Sequence, residues 1–194
     1  FNFDPDIVDR KSPLYLHGWW QSERYFVDIR DMLLKDFVLS SPSSKQNDEL
    51  AQKIKSTDSI GIHIRRLDYV TNPKTKAWHG ELTGEYYNQA VNIINQKVKN
   101  PILYIFSDDI PWVKKNIFFP HKTIYVEGNM YAPHEDIRLM SCCKHNIIAN
   151  STLGWWGAWL NTNKEKIVIG PKKWFANAPK NNTEDLLPTN WVKI

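Results

Sequence analysis

The sequence predicts an α/β fold, a doubly wound parallel sheet, on three observations. β-branched runs of strand length recur at 59–64 (SIGIHI), 102–106 (ILYIF), 123–126 (TIYV), 146–149 (NIIA) and 166–169 (KIVI). Helically spaced stretches separate them, and short buried strands alternating with helices imply parallel βαβ units. The length of 194 residues suits one domain with a good core and is only marginal for two small ones.

Taken in order, residues 1–20 are rich in Pro, Asp and aromatics without periodicity and read as an irregular lead-in. Over 21–39, Tyr25, Phe26, Ile29, Leu33, Leu34 and Phe37 recur at three and four residues, which predicts an amphipathic helix. Residues 40–48 are rich in Ser and read as a loop or linker. The expected organisation is therefore 1–48 as lead-in, helix and linker, and 49–194 as the sheet domain. Between the first two strands, 84–97 places Tyr87, Ala90, Val91 and Ile94 on one helix face. Helices are expected at 134–144 and 155–161, on either side of the fourth strand, and Gly170-Pro171 ends the fifth.

The 25 basic and 21 acidic residues leave a net charge of +4, too mixed for a nucleic-acid-binding face and compatible with a small anionic ligand. No nucleic-acid partner is expected. Cys142 and Cys143 are adjacent, so neither a disulfide framework nor zinc-ligand spacing exists, which favours a reducing compartment. No apolar run approaches the ~20 residues of a membrane-spanning helix. No secretory signal is visible, so the expectation is a trimmed chain, cytoplasmic or peripheral to the inner membrane on a bacterial-type reading. Trp19, Trp20, Trp78, Trp155, Trp156 and Trp159 fall in or beside polar stretches, where they can serve as sugar or base platforms or as core.

In such sheets ligands bind beyond the carboxyl ends of the strands. After the first strand comes His63-Ile64-Arg65-Arg66-Leu67-Asp68-Tyr69, in which alternation aims His63 and Arg65 to one side. An arginine fork suits a diphosphate; the competing reading is a surface pair bound to Asp68. Asp108 and Asp109 follow the second strand, and helix capping is favoured over metal binding because Pro111 comes just after them. No metal is expected. After the fourth strand, Asn150-Ser151-Thr152-Leu153-Gly154 opens a helix, a setting for phosphate or a plain N-cap. Asn150-Ser151-Thr152 also fits a glycosylation sequon, read as coincidence. Asp136, in the first turn of the preceding helix, can accept the N1–H and N2–H₂ donors of guanine or stabilise its own helix.

Together HIRRLDY, SDD, and ED followed by IIANSTLGWWGAWL resemble the conserved segments of α1,2-fucosyltransferases of the glycosyltransferase family 11 type, over roughly residues 18–174. More distantly the order is similar to α1,6- and protein O-fucosyltransferases. The resemblance implies a GT-B-type enzyme, of which this chain is the C-terminal, Rossmann-like nucleotide-binding domain with most of the N-terminal domain missing. It implies inverting, metal-independent transfer of L-fucose from GDP-fucose to the 2-hydroxyl of a terminal galactoside. GDP-fucose is the donor substrate and no cofactor is implied; the acceptor is a galactose-terminated glycan, with peripheral membrane contact if that glycan is on a lipid.

Carried over by position, Arg65 matches the β-phosphate arginine, His63 the histidine near guanine and ribose, and Asp136 the acid that reads guanine. Ser151 and Thr152, preceded by Asn150, match the residues at the phosphates, while Arg66 and Asp68 match motif positions of less specific role. Arg65 and Asp68 are the catalytic candidates, with Asp68, His79 and Glu81 as candidate bases in a loop expected over 68–85. The chain departs from the family in lacking its Gly-rich first motif and in carrying Leu67 where a Gly is usual. The alternatives are a non-catalytic GDP-sugar-binding fragment and a GT-B transferase for another nucleotide sugar.

Overall fold

The computed structural model describes residues 2–40, 42–177 and 182–194. They divide into two units, Phe1–Ser41 with Ala178–Trp191, and Pro42–Asn177 with Val192–Ile194.

The first unit is built from short helical pieces. Helix α1, Pro5–Val8, starts with Pro where an N–H would lack a partner, and the Asp4 side chain caps it by accepting from the Asp6 amide. Two 3-10 turns, Glu23–Tyr25 and Val27–Ile29, precede α2, Arg30–Asp36. The single helix expected over 21–39 is thus broken. Phe26, at φ −147° and ψ 7°, leaves helical geometry between the turns. Tyr25 is held by contacts its own helix could not supply: its hydroxyl accepts from the Asp4 amide at 2.7 Å and donates to the Asn2 carbonyl at 3.2 Å. Its ring packs on Phe3 and Trp20, and periodicity alone cannot foresee such partners.

In the second unit α3, Lys45–Lys55, begins where a linker was expected. Ser44 accepts the Asn47 amide as N-cap, and Ala51 and Ile54 are buried, a narrow apolar stripe in a polar helix. Strand β1, Ser59–Ile64, is buried at every position, as a central parallel strand is. It is followed by α4 (Leu67–Thr71), α5 (Pro73–His79) and α6 (Gly84–Asn95). The expected loop over 68–85 is therefore largely helical; Asn72 caps α5 through the Lys74 and Thr75 amides, with Pro73 in the first turn. Then come β2 (Ile102–Ser107), α7 (Ile110–Asn116), β3 (Thr123–Tyr125), α8 (Pro133–Ser141) and β4 (His145–Ile147). Helix α9 (Thr152–Trp159), β5 (Val168–Gly170) and β6 (Val192–Lys193) complete the unit.

All six strands are parallel, in the order β3-β2-β1-β4-β5-β6. That is the Rossmann order, and the predicted doubly wound sheet is present. On one face Ile60, Ile62, Ile64, Leu103, Ile105, Ile147 and Ile169 pack with Tyr87, Ala90, Val91 and Ile94 of α6 and Ile110 and Val113 of α7. Each such fully buried aliphatic contributes about 1.5–3 kcal/mol relative to exposure. On the other face Gly61 admits the Cys143 side chain, since a Cβ there would lie 2.9 Å from the sulfur. Helix α8 packs against both α3 and α9. Strand order reverses between β1 and β4, the place beyond whose carboxyl ends open α/β sheets bind their ligands. Among the described residues no helix is long and apolar enough to cross a membrane.

Candidate functional site

Ile62 of β1 stands beside Ile147 of β4, so the segments that begin at Arg65 and Asn150 leave the sheet as neighbours. Tyr69 joins them. Its hydroxyl donates to the Asn150 carbonyl at 2.9 Å, and its ring lies 5.7 Å from the Arg65 guanidinium carbon. The predicted arginine and the start of α9 therefore share one rim of the sheet. Burial pushes the Tyr69 hydroxyl up to about 12, so it remains a neutral donor.

The two arginines have different surroundings. Arg65 is about one-third exposed and is oriented by two carboxylates: Nη2 lies 2.6 Å from Asp68 Oδ1, and Nη1 lies 3.0 Å from Asp108 Oδ2. Arg66 is buried; it lies 3.2 Å over the Trp112 ring, is ion-paired with Glu81, and has Nε 3.6 Å from Asp109. Its backbone N–H donates to Asp108 Oδ1 at 2.9 Å. Arg66 is thus enclosed within the protein while Arg65 keeps part of its surface open to solvent. Burial raises the Asp108 carboxyl, opposed by Arg65 and by backbone donors. Asp109 caps α7 by accepting the Trp112 amide at 3.2 Å, the capping role its sequence position suggested.

His63 is buried, and its Nδ1 has no hydrogen-bond partner. Burial, and secondarily Arg65, holds its pKa down at about 3, so the ring is neutral at physiological pH. A Cβ on Gly154 would lie 2.7 Å from that Nδ1: only glycine lets the first turn of α9 come this close to β1. Ser151, in extended geometry, is the N-cap, but its side chain makes no capping bond, and Thr152 is exposed. The opening amides of an eight-residue helix therefore lack a capping side chain beside Arg65, with the helix dipole favouring an anion there. Asn150 has a different position: its amide donates to the carbonyls of His79 at 2.9 Å and Trp174 at 3.0 Å, tying the end of α5 and the segment after β5 to the end of β4.

Asp136 lies in the first turn of α8 and accepts from Asn129 Nδ2 at 2.8 Å. Burial raises its pKa to about 6, against the pull of the Asn129 donor. Of the candidate bases, Asp68 is paired with Arg65 and Glu81 with Arg66. His79 stacks on Tyr69 at 4.5 Å and leans on Phe175, with Nδ1 buried and unpartnered; burial lowers its pKa. Among the described residues no cluster of three or more His, Cys, Asp or Glu could hold a metal ion.

Sequence reasoning named Gly154 only as part of the Asn150–Gly154 helix start, without its contact to His63, and gave no role to Tyr69 or Asn129. A glycine inside the helical string TLGWWGAW was the available signal for Gly154; the other two act through partners distant in the chain.

Residues 7–194 match the sequence family described as glycosyl transferase family 11. The chain is similar to two Escherichia coli proteins. It is 36% identical over 190 residues to the O-antigen biosynthesis glycosyltransferase WbnK, covering 95% of this chain and 62% of the relative. It is 38% identical over 188 residues to an alpha-1,2-colitosyltransferase, covering 95% and 63%. A galactoside 2-alpha-L-fucosyltransferase, SEC1 of Bos taurus, is 28% identical over 153 residues, covering 75% and 41%. The chain thus spans about three-fifths of the two bacterial relatives and less of the mammalian one. Among solved structures, that of NodZ alpha-1,6-fucosyltransferase co-crystallised with GDP matches at 14% identity and TM-score 0.38, covering 79% of this chain and 61% of that one.

Proposed function

The chain belongs to glycosyl transferase family 11, and from that premise we propose that it binds GDP-fucose and serves transfer of L-fucose to the 2-hydroxyl of a terminal galactoside. The observation that carries this reading is the bridge through Tyr69, which puts a carboxylate-oriented guanidinium and an uncapped helix start on one rim where the strand order reverses. Both are donors suited to a diphosphate. In inverting transfer the acceptor hydroxyl attacks in line as GDP departs and gains negative charge. Arg65 and the amides of Thr152–Gly154 are the fixed donors assigned to that charge, the Ser151 amide being already donated to the Ala149 carbonyl, and they require no reorganisation as it develops. Neutral His63 and the Asp136 carboxylate are assigned to the guanosine. Asp68 is the first choice for the base because of its place in the motif; to act, its carboxylate, paired with Arg65 in the structure, must turn toward the acceptor, on the side of the anomeric carbon opposite the leaving group.

A thermal-shift panel of GDP, GDP-fucose, UDP, ADP and UMP tests the donor. Selective stabilisation by the two guanosine compounds is expected, about 2.7 kcal/mol at a hundredfold excess over Kd. Equal response to all five, or none, overturns the reading. A second reading concerns the sugar: the relative named as an alpha-1,2-colitosyltransferase favours colitose in place of fucose, and linkage analysis of products from a galactoside library with each donor decides between them.

A further inference from the structure

We infer that Asn129 is a positioning residue, which sets the plane of the Asp136 carboxylate for the guanine edge at the end of a hydrogen-bond relay that starts at Glu135. The inference rests on the assignment of Asp136 to guanine given above. Asn129 is buried between β3 and α8, although its chain neighbours Met130 and Tyr131 are 76% and 95% exposed. Its amide nitrogen donates to Asp136 Oδ1 at 2.8 Å, and its amide oxygen accepts from Asn47 Nδ2 at 2.9 Å. Asn47 Nδ2 also donates to Glu135 Oε2 at 3.2 Å. Glu135 in turn accepts from Ser43 Oγ and from the Arg138 guanidinium.

A carboxylate only accepts, so the direction of the relay is fixed from both ends. Glu135 requires the nitrogen of Asn47, and Asn47 then requires the oxygen of Asn129. The nitrogen of Asn129 must therefore face Asp136. Neither amide can flip without setting two acceptors against each other. The helix itself supplies no such restraint, since Ala132 at the N-cap of α8 has no capping side chain. With Oδ1 held by Asn129, Asp136 Oδ2 has no hydrogen-bond partner among the described residues and remains for the donors of a base.

The same donor favours the ionised carboxylate, which burial disfavours. The charged groups around the relay are Glu135 and Arg138 on α8, and Asp48 on α3, 3.5 Å from Arg138. Helix α9, packed on α8, carries none between Thr152 and Trp159.

The test is calorimetric binding of GDP and of inosine 5′-diphosphate, which lacks the 2-amino group, from pH 5.5 to 8. Their affinity ratio cancels the titration of the shared diphosphate. The original chain is expected to prefer GDP by about tenfold, the worth of one charge-assisted hydrogen bond. Asp136→Asn should remove most of that preference. Asn129→Ala should cut it severalfold and move its rise with pH upward, and Asn129→Asp, which sets two carboxylates together, should abolish it near neutral pH. Asn47→Ala, one step back in the relay, should give a smaller change in the same direction, and it carries the test if the Asn129 variants do not fold. Retention of the preference in Asp136→Asn would overturn the guanine assignment. Loss there, with ratio and pH midpoint unchanged in the relay variants, would overturn the positioning role alone.

Discussion

Arg65 and Arg66 are adjacent and chemically identical, yet Trp112, Glu81 and Asp109 enclose one while the other is held between Asp68 and Asp108 at the rim. Because the Arg65 fork meets two carboxylates at once, lysine is not an equivalent: a single ammonium cannot span both and still present a planar pair of donors. Arg65→Lys should therefore keep the fold, with little change in Tm, and lose most of the GDP-induced thermal shift. In a chain competent for transfer, the rate should fall on the order of 10²–10³. An unchanged GDP shift would remove Arg65 from the phosphate site. The motif letters offered both arginines as candidates for the donor site, Arg66 with the less specific role. What separates them is Asp108, which reaches back from the end of the neighbouring strand to the Arg66 amide and the Arg65 guanidinium, a pairing that no local pattern contains.

At the scale of elements, α9 is positioned by its two glycines. Gly154 lies against His63, and a Cβ on Gly157 would come 2.8 Å from the Met140 Cβ on α8. Neither neighbour is the free end of a flexible chain, so alanine at either position should cost about 1–3 kcal/mol through overpacking. The two variants should differ in function. Gly157→Ala should lower Tm and leave the order of nucleotide preference intact, whereas Gly154→Ala should lower Tm and weaken GDP binding as the helix start moves off the rim. Equal GDP affinity in the two, measured below both melting points, would contradict this division. The strands were legible because a β-branched run is a local property: all five predicted runs are strands, with ends shifted by no more than about two residues. Strand β6 escaped notice because two residues carry no pattern. Helix α3 escaped because only Asn47, Ala51 and Ile54 are buried in it, and the helix expected over 21–39 failed because contacts to Tyr25 outweighed a periodicity that was present.

For the whole molecule, stability against pH should carry two opposing contributions. His63 is held near 3, below its ordinary value of 6.5, so the stability linked to it is fully present above 6.5 and is lost as pH falls toward 3. Asp136 is raised from 3.8 to about 6, so its linked stability is fully present below 3.8 and is lost as pH rises through 6. Between pH 4 and 6 the two partly cancel. Asp136→Asn should therefore steepen the fall of Tm on acidification from 6.5 to 4, and a non-titrating replacement such as His63→Gln should flatten it. Melting curves at pH 7, 5.5 and 4 check both slopes, and a flatter slope in Asp136→Asn would refute the assignment.

By itself the amino-acid sequence determined that this chain forms a parallel α/β sheet with His63, Arg65 and the Asn150–Gly154 segment at strand ends, because strand runs, their spacing and the residues after them are written locally. Only the tertiary structure decided which polar groups are already used within the protein and which remain for a ligand. Asp108 on Arg65 and Gly154 under His63 are meetings of segments far apart in the chain that exist only once the sheet brings its strand ends to one edge, while Glu81 on Arg66 and Asn129 on Asp136 join residues 15 and 7 apart through turns that no periodicity reveals.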